Sequence, residues 1–582
     1  MHLAIFLTRL GDMPKVVWKY DVSVSHCNFS WQTPTPDPTA PPRKEKARHT
    51  TERCIVGNSR RDFLGQSAGL VAALALPEIG RAATAGGTLT VGSQNMRTLN
   101  PAIQPGNATG LPGTQLFAGL VLLDDKFQPQ PYLAQRWEVS QDGLEYRFHL
   151  VENAVFHDGR PVTANDVAFS VQTVKAAHPF MSVVYGAVLD TAKALDTRTV
   201  AIRLKKPFGG LFGALTPALT PILPEHVYGS GGPIQSHPAN AKPVGSGPYK
   251  LVGWKPNESL VLERHAQYFR QAPYYDRLAF KLSEDTLAHA ISIERGTLDF
   301  LPFSFLRVND LQRMMGNPDL VVTRKGYEAL GPVIYLDINM REAPLSDLRV
   351  RQAIAHAIDK DFITKALHRG MSRRLDGPLH SGSPYFDAAA LTRYDYDLKQ
   401  ANQLLDAAGL PRKEGDIRVQ LTLDVPTFEP DSTQLVADYL KTQLRKIGLD
   451  IVLRRSTDLA DWASRVGQWN YQLTMNSTWN WSDPVIGVNR NFLSTNIKKQ
   501  IWTNTEGYVN PKVDELLNQA ATEADQGKRK ALYSEFQKLV TADLPFVWTN
   551  EGIYITVYRK TLRDVPSGVF GALAPLDTIR PA

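Results

Sequence analysis

Three stretches of this 582-residue chain hold side chains able to act on, or to grip, another molecule. The first is Thr478 to Val485, TWNWSDPV, in which Trp479 and Trp481 flank Asn480 and an Asp483-Pro484 turn follows. Alternate side chains of an extended strand share a face, so the two indoles would lie side by side, equally suited to a core and to a cleft wall. Asn480 offers a neutral amide between them, and Asp483 offers either a turn cap or a charge. The second stretch is His157-Asp158-Gly159-Arg160-Pro161, whose first two residues have the types of an acid/base pair. Asp-Gly is first a turn signal, and structural roles are expected for both. The third is Gly245-Ser246-Gly247. It lacks the G-x-S-x-G of a nucleophile elbow, and Lys250 stands where a dinucleotide fingerprint needs its last glycine. No H-E-x-x-H pair occurs, and Glu225-His226 is isolated. The expectation is therefore binding without catalysis, with no cofactor and no metal.

Composition narrows the class. With 43% hydrophobic and 21% charged residues the chain is neither disordered nor membrane-like, and its length calls for at least two compact units. The formal charge of +7 suggests a nucleic-acid partner, but eleven Lys/Arg against seven Asp/Glu precede Gly86, leaving about +3 for all the rest. No basic stripe with interleaved aromatics is present, and no nucleic-acid partner is expected. The two cysteines, Cys27 and Cys54, both precede residue 59. A chain cut after residue 85 would have no thiol nucleophile and no disulfide.

Ser59-Arg60-Arg61-Asp62-Phe63-Leu64, a short apolar run from Ala68 to Leu76, and Ala83-Thr84-Ala85 occur in that order. Paired arginines, a modest apolar stretch and an A-x-A cut are the parts of a twin-arginine export signal over 59–85, which addresses the chain to the periplasm through the twin-arginine machinery. No cysteine follows the run, so no lipid anchor is expected there. Residues 1–58, Pro- and Arg-rich, read as a disordered extension. No methionine lies between Met13 and Met96, which points to an over-long translation start.

The elements that must position TWNWSDPV alternate between helical and strand periods. A strand opens at Thr88 to Val91 and leads into a Gly/Asn/Pro loop holding Gly106 and Asn107. Trp137 to Val139 and Tyr146 to Leu150 alternate about a Gln141-Asp142-Gly143 turn, and Thr163 with Asp166 caps a helix through Val174. Tyr249, Leu251, Leu260 and Leu262 predict a hairpin, with Tyr249 in the core. A helix ending at Gly296 hands over to a strand. GPVIYLDIN predicts another strand, and the spacing of Val350, Ile354, Ile358 and Ile363 one continuous helix. IRVQLTLDV, STQLVADYLKTQLRKIG and DIVLRRS form a β-α-β pattern. Helices around 513–520 and 528–540 precede strands near 545–549 and 553–558, while Trp462 and Trp469 are expected to be packing residues.

Five ordered segments, LAQRWEVSQDGLEYRFHL, VFHDGRPVTANDVAFS, PVGSGPYKLVGWKPNESLVLERH, DLRVRQAIAHAIDKDFI and GYVNPKVDELLNQA, resemble the solute-binding proteins of peptide-type ABC importers. This is solute-binding family 5, which includes dipeptide- and oligopeptide-binding proteins. The resemblance spans Gly86 to the end and implies an α/β, two-lobed periplasmic-binding-protein fold with an extra small α+β domain and hinge crossovers. On that pattern 86–125, 243–332 and 541–582 form lobe I, 126–242 the small domain and 333–540 lobe II. It further implies a monomer that encloses a peptide or small-molecule ligand and delivers it to permease subunits driven by cytoplasmic ATPases.

Relatives carry A-D-Y-x-D-P where this chain has Trp479 to Pro484, and their first aspartate holds the peptide α-ammonium. Asn480 takes that position, Trp481 the tyrosine, and Asp483-Pro484 match the rest. The neutral amide forgoes a charge-assisted bond of about 1.5–3 kcal/mol, which disfavours a free amine and favours a blocked peptide, a sugar-like or opine-like ligand, or another small polar solute. Arg465 lies where some relatives place an arginine for the ligand carboxylate, and Gly106 and Asn107 fall in a ligand-contacting loop. A periplasmic hydrolase or a peptide-holding chaperone is the alternative outside the binding proteins.

Overall fold

The computed structural model describes residues 86–104, 106–304, 306–426, 431–552 and 554–582. The expected extension at 1–58 and export signal at 59–85 lie outside them. Two sheets dominate. The first has seven strands in the order Leu320–Thr323, Thr556–Arg559, Phe300–Leu301, Thr88–Ser93, Arg277–Leu282, Ser259–Arg264 and Tyr249–Lys255. Its centre is parallel, with Val91 opposite both Phe280 and Phe300, and its edge is the expected hairpin, with Leu251 opposite Leu262. The second sheet has five strands in the order Leu449–Arg455, Val419–Val425, Leu473–Trp479, Pro332–Ile338 and Phe546–Glu551. Its β-α-β unit closes as read, Val419–Val425 running parallel to Leu449–Arg455 across the helix Asp431–Arg445.

A four-stranded antiparallel sheet, Ala134–Val139, Glu145–Leu150, Thr199–Leu204 and Leu189–Ala194, makes the small domain with the helix Ala164–Ala177. Asp166 closes the cap of that helix by accepting the Thr163 backbone N–H at 2.8 Å. The small domain shares one continuous core with the seven-stranded sheet, while the five-stranded sheet has its own, built around Leu336, Leu423, Met475 and Trp548. This is the α/β, two-lobed arrangement with a small α+β addition. The chain passes between the two sheets twice, from Thr323 to Pro332 and from Glu551 to Thr556.

Two boundaries differ from the sequence reading. Phe546–Glu551, placed in lobe I by the break at 541, pairs antiparallel with Pro332–Ile338 and is an edge strand of the second sheet. Its six residues are all buried, so its all-apolar opening, FVW, says nothing of which sheet receives it. The helix expected through Ile363 stops at Ala357: Ile358 adopts φ −100°, ψ 111°, and a separate turn, Phe362–Leu367, begins after Asp359 accepts the Phe362 N–H at 2.9 Å. No helix among the described residues is long and apolar enough to cross a membrane.

Candidate ligand cleft

TWNWSDPV begins at the last residues of a strand and leaves it by a sharp bend. Leu473–Trp479 pairs antiparallel with Pro332–Ile338 along its whole length, ending with Trp479 opposite Pro332. On its other side the ladder to Val419–Val425 involves only Leu473 and Thr474. Past Trp479 the backbone turns left-handed, with φ +50° at Trp481 and +68° at Ser482. The expectation that both indoles share an extended face is thereby corrected. Trp479 stays half-buried at the strand end, whereas Trp481 drops into the core of the first lobe and small domain, its ring 5.5 Å from that of Phe180. Gly487 makes the bend possible: a Cβ there would sit 1.9 Å from the Trp479 carbonyl oxygen and 2.6 Å from the Asn480 carbonyl. Gly487→Ala is expected to lower stability by about 1–3 kcal/mol, measured by urea unfolding, because the obstacle is backbone and cannot swing aside.

Trp479 marks where residues of both lobes meet. Its indole N–H donates to the Tyr554 hydroxyl at 2.9 Å, and the Asn107 amide donates to the same oxygen at 3.0 Å. Tyr554 lies in the second crossover, its ring against Phe303 and Tyr327. Asn107 is the first residue of the helix Asn107–Leu116, capped by Gly106 at φ 120°, beside which there is open space. A cavity of about 270 Å³ adjoins Tyr554, lined by Arg324, Tyr327, Arg373, His380 and Glu551 among others. The Glu551 carboxylate accepts the Ser381 N–H at 2.7 Å and lies 3.6 Å from His380 Nε2. Burial lowers the His380 pKa, against the pull of Glu551 and Glu328.

Three candidate polar groups have partners within the chain. Asn480, 2% exposed, donates its amide N–H to the Gly331 carbonyl at 3.1 Å, and its amide oxygen accepts the His380 backbone N–H at 3.3 Å. Its backbone N–H donates to Leu330 at 2.7 Å, so this residue ties the strand end to the first crossover. Asp483 accepts the Val485 N–H at 2.9 Å as a helix cap and receives two bonds of 2.6 Å from the buried Arg529 guanidinium. Arg465 lies 3.1 Å from Asp424 Oδ1 and 3.3 Å from Asp461 Oδ2. His157 accepts the Gly245 N–H at 3.1 Å and so fixes the GSG loop, while Asp158 pairs with His226 at 2.7 Å, the structural roles expected of both. Tyr554, His380 and Glu551 were not singled out from the sequence. GIYITVY reads as an ordinary apolar strand, and nothing in HSGS or TNE distinguishes a cleft residue from a loop.

The second lobe also buries two acids together. Asp337 accepts from Tyr471 Oη and Asn476 Nδ2, both at 3.0 Å, whereas neither oxygen of the fully buried Glu506 has a partner among the described residues. Burial, and for Glu506 also the Asp337 charge, raises both pKa values. An acid whose pKa is raised on folding favours the folded state below its unfolded pKa, and that advantage is lost as pH climbs from about 4 toward the folded value. Stability should therefore fall over that rise, and Glu506→Gln should flatten it, with a larger gain in melting temperature at pH 8 than at pH 5.

Two lobes joined by two crossovers, with side chains of both lobes meeting at one tyrosine beside a cavity, define the class of two-lobed solute-binding proteins. The family model for bacterial extracellular solute-binding proteins, family 5 (middle), matches residues 128–500, and the chain belongs to that family. It is 27% identical over 447 residues to heme-binding protein A of Haemophilus influenzae, covering 72% of this chain and 78% of the relative. It is 27% identical over 440 residues to the probable D,D-dipeptide-binding periplasmic protein of Escherichia coli, covering 74% and 81%. Among solved structures, the oligopeptide-binding protein AppA of Bacillus subtilis in complex with a nonapeptide superposes with a TM-score of 0.74 at 23% identity, over 86% of this chain and 99% of that one. NikA of Brucella suis in complex with Fe(III)-EDTA gives 0.75 at 24%, over 85% and 100%. The chain is an extracytoplasmic binding protein that works with the permease components of an ABC importer.

Proposed function

We propose that this chain captures a peptide or a similar small polar solute between its lobes in the periplasm, as a monomer without catalytic activity, after export by the twin-arginine route. The observation that supports it most is the junction at Tyr554, where Asn107 of the first lobe and Trp479 of the second donate to one hydroxyl. A solute held there touches both lobes, so its affinity and lobe closure are one free-energy statement. The strand end at Trp479, with described ladder partners mainly on one side, suits an extended main chain, and the charged side chains lining the adjoining cavity suit its functional groups. Relatives named for heme, D,D-dipeptides and oligopeptides show how widely one family's ligands range, and the internal use of Asn480 favours ligands without a free amine.

Titration with pooled tripeptides, N-acetylated tripeptides and sugars, followed by intrinsic fluorescence, tests the reading. A saturable change is expected with one pool, and Trp479→Phe should shrink the signal while calorimetry still detects binding. No saturable response to any pool would remove the proposal.

A further inference from the structure

Arg490 is a guanidinium whose charge no acid of the described residues answers. It follows the Pro484–Gly487 turn, sits half-buried, and makes one side-chain hydrogen bond, from Nε to the Gly487 carbonyl at 3.1 Å. Its Cζ stands 5.4 Å from the centre of the Phe180 ring. Two buried arginines show the contrast: Arg529 forks onto Asp483, and Arg351 donates to four main-chain carbonyls. Arg465, which lies where some relatives place an arginine for the ligand carboxylate, has Asp424 and Asp461 beside it. Burial pulls the Arg490 pKa down to about 10, which leaves it charged at neutral pH. An unanswered cation in such a place costs free energy unless something outside the chain completes it.

A second orphan donor flanks the same Phe180. His178 is fully buried, its ring centre 4.5 Å from that of Phe180 and edge-on to it. Its Nδ1 accepts the backbone N–H groups of Phe180 at 3.3 Å and Met181 at 3.1 Å, which leaves the proton on Nε2, and Nε2 has no partner. Burial first, and the Arg490 charge second, hold the His178 pKa at about 3, so the ring is neutral. A cation without a counter-charge and a ring N–H without an acceptor thus border one aromatic ring that also packs on Trp481.

We propose that Arg490 and His178, on the same Phe180 ring, form an anion subsite that takes a carboxylate of the captured solute. The planar guanidinium fork, with both terminal nitrogens uncommitted, matches a carboxylate in two parallel bonds. The inference rests on the solute-capture reading and narrows it to anionic ligands.

Pooled free-acid tripeptides are compared with the same pool C-terminally amidated, by calorimetry, on wild type, Arg490→Gln and Arg490→Lys. Wild type should bind the free acids at least about 10-fold tighter, the size of one charge-assisted contact, Arg490→Gln should bring the ratio near one, and Arg490→Lys should restore part of it. A wild type without preference, or a preference that survives in Arg490→Gln, overturns the proposal. If wild type binds neither pool, the peptide reading has failed and sodium citrate, compared with sodium chloride at equal ionic strength, decides the subsite separately. A saturable rise in melting temperature that Arg490→Gln abolishes supports it; no rise, or one that persists in the variant, overturns it. Ligand-free Arg490→Gln should melt no lower than wild type, since it loses an unanswered charge, and a lower melting point would mark Arg490 as structural.

Discussion

Arg529→Met is expected to lower the unfolding free energy by about 3–5 kcal/mol, the usual cost of stranding one member of a buried ion pair. Both Asp483 oxygens are engaged by the Arg529 fork at 2.6 Å, and the two side chains are 3% and 8% exposed. Arg529 also donates to the Tyr385 hydroxyl at 2.7 Å and to the Ala520 carbonyl at 2.7 Å, with the Tyr385 and Tyr533 rings stacked on its guanidinium. Without it, the Asp483 carboxylate stays buried with only the Val485 N–H to meet it, and it must either take up a proton or pull the Pro484–Gly487 turn toward solvent. Asp483→Asn combined with Arg529→Met should recover much of the loss, because the two residues share one interaction and their effects are not additive. Urea unfolding, followed by fluorescence and circular dichroism, measures both. A loss below about 1 kcal/mol for the single change would mean that the pair does not anchor the turn after TWNW.

Asn480→Asp, the change that restores the acidic residue of peptide-binding relatives, is expected to cost about 2–3 kcal/mol and to gain no affinity for free amines. The amide N–H now given to the Gly331 carbonyl would be replaced by a carboxylate oxygen facing that carbonyl, in a position 2% exposed. Only the bond from His380 N–H to the remaining oxygen survives. The charge would have one donor and one repelling acceptor, and its most direct relief is to open the link between the strand end and the crossover. Urea unfolding gives the stability, and calorimetry with free-amine and N-acetylated peptides gives the affinity. A stable Asn480→Asp protein that binds free amines more than about 10-fold tighter than wild type would show instead that the position faces the ligand.

These two changes mark where the sequence was legible. The two main sheets follow from period: alternation at Tyr249, Leu251, Leu260 and Leu262 gave the hairpin, and the β-α-β run gave the parallel pair in the second sheet. Thr163 and Asp166 located a helix start through a local hydrogen bond, a signal that needs no tertiary context. The sheet that receives Phe546–Glu551 is not legible locally, because its side chains record only that it is buried, while its partner lies more than two hundred residues earlier. TWNWSDPV stands out in the sequence, but what each of its residues does depends on distant partners: Arg529 for Asp483, Gly331 for Asn480, Tyr554 for Trp479. The parting of the two indoles depends on positive φ at Trp481 and Ser482, and no side-chain preference announces a left-handed tryptophan. His178 and Arg490 carry no sequence signal, because what sets them apart, an unpartnered ring N–H and a missing counter-charge, exists only once the chain is folded.

Native mass spectrometry of the chain isolated from its extracytoplasmic compartment tests the capture of a solute between the lobes most directly. The account predicts a one-to-one mass excess over the bare chain that disappears on denaturation, the released molecule being of peptide size or smaller and carrying an acid group. A chain that flies at its bare mass in both states, and takes up no small solute when incubated with an extract of its native medium, would contradict it.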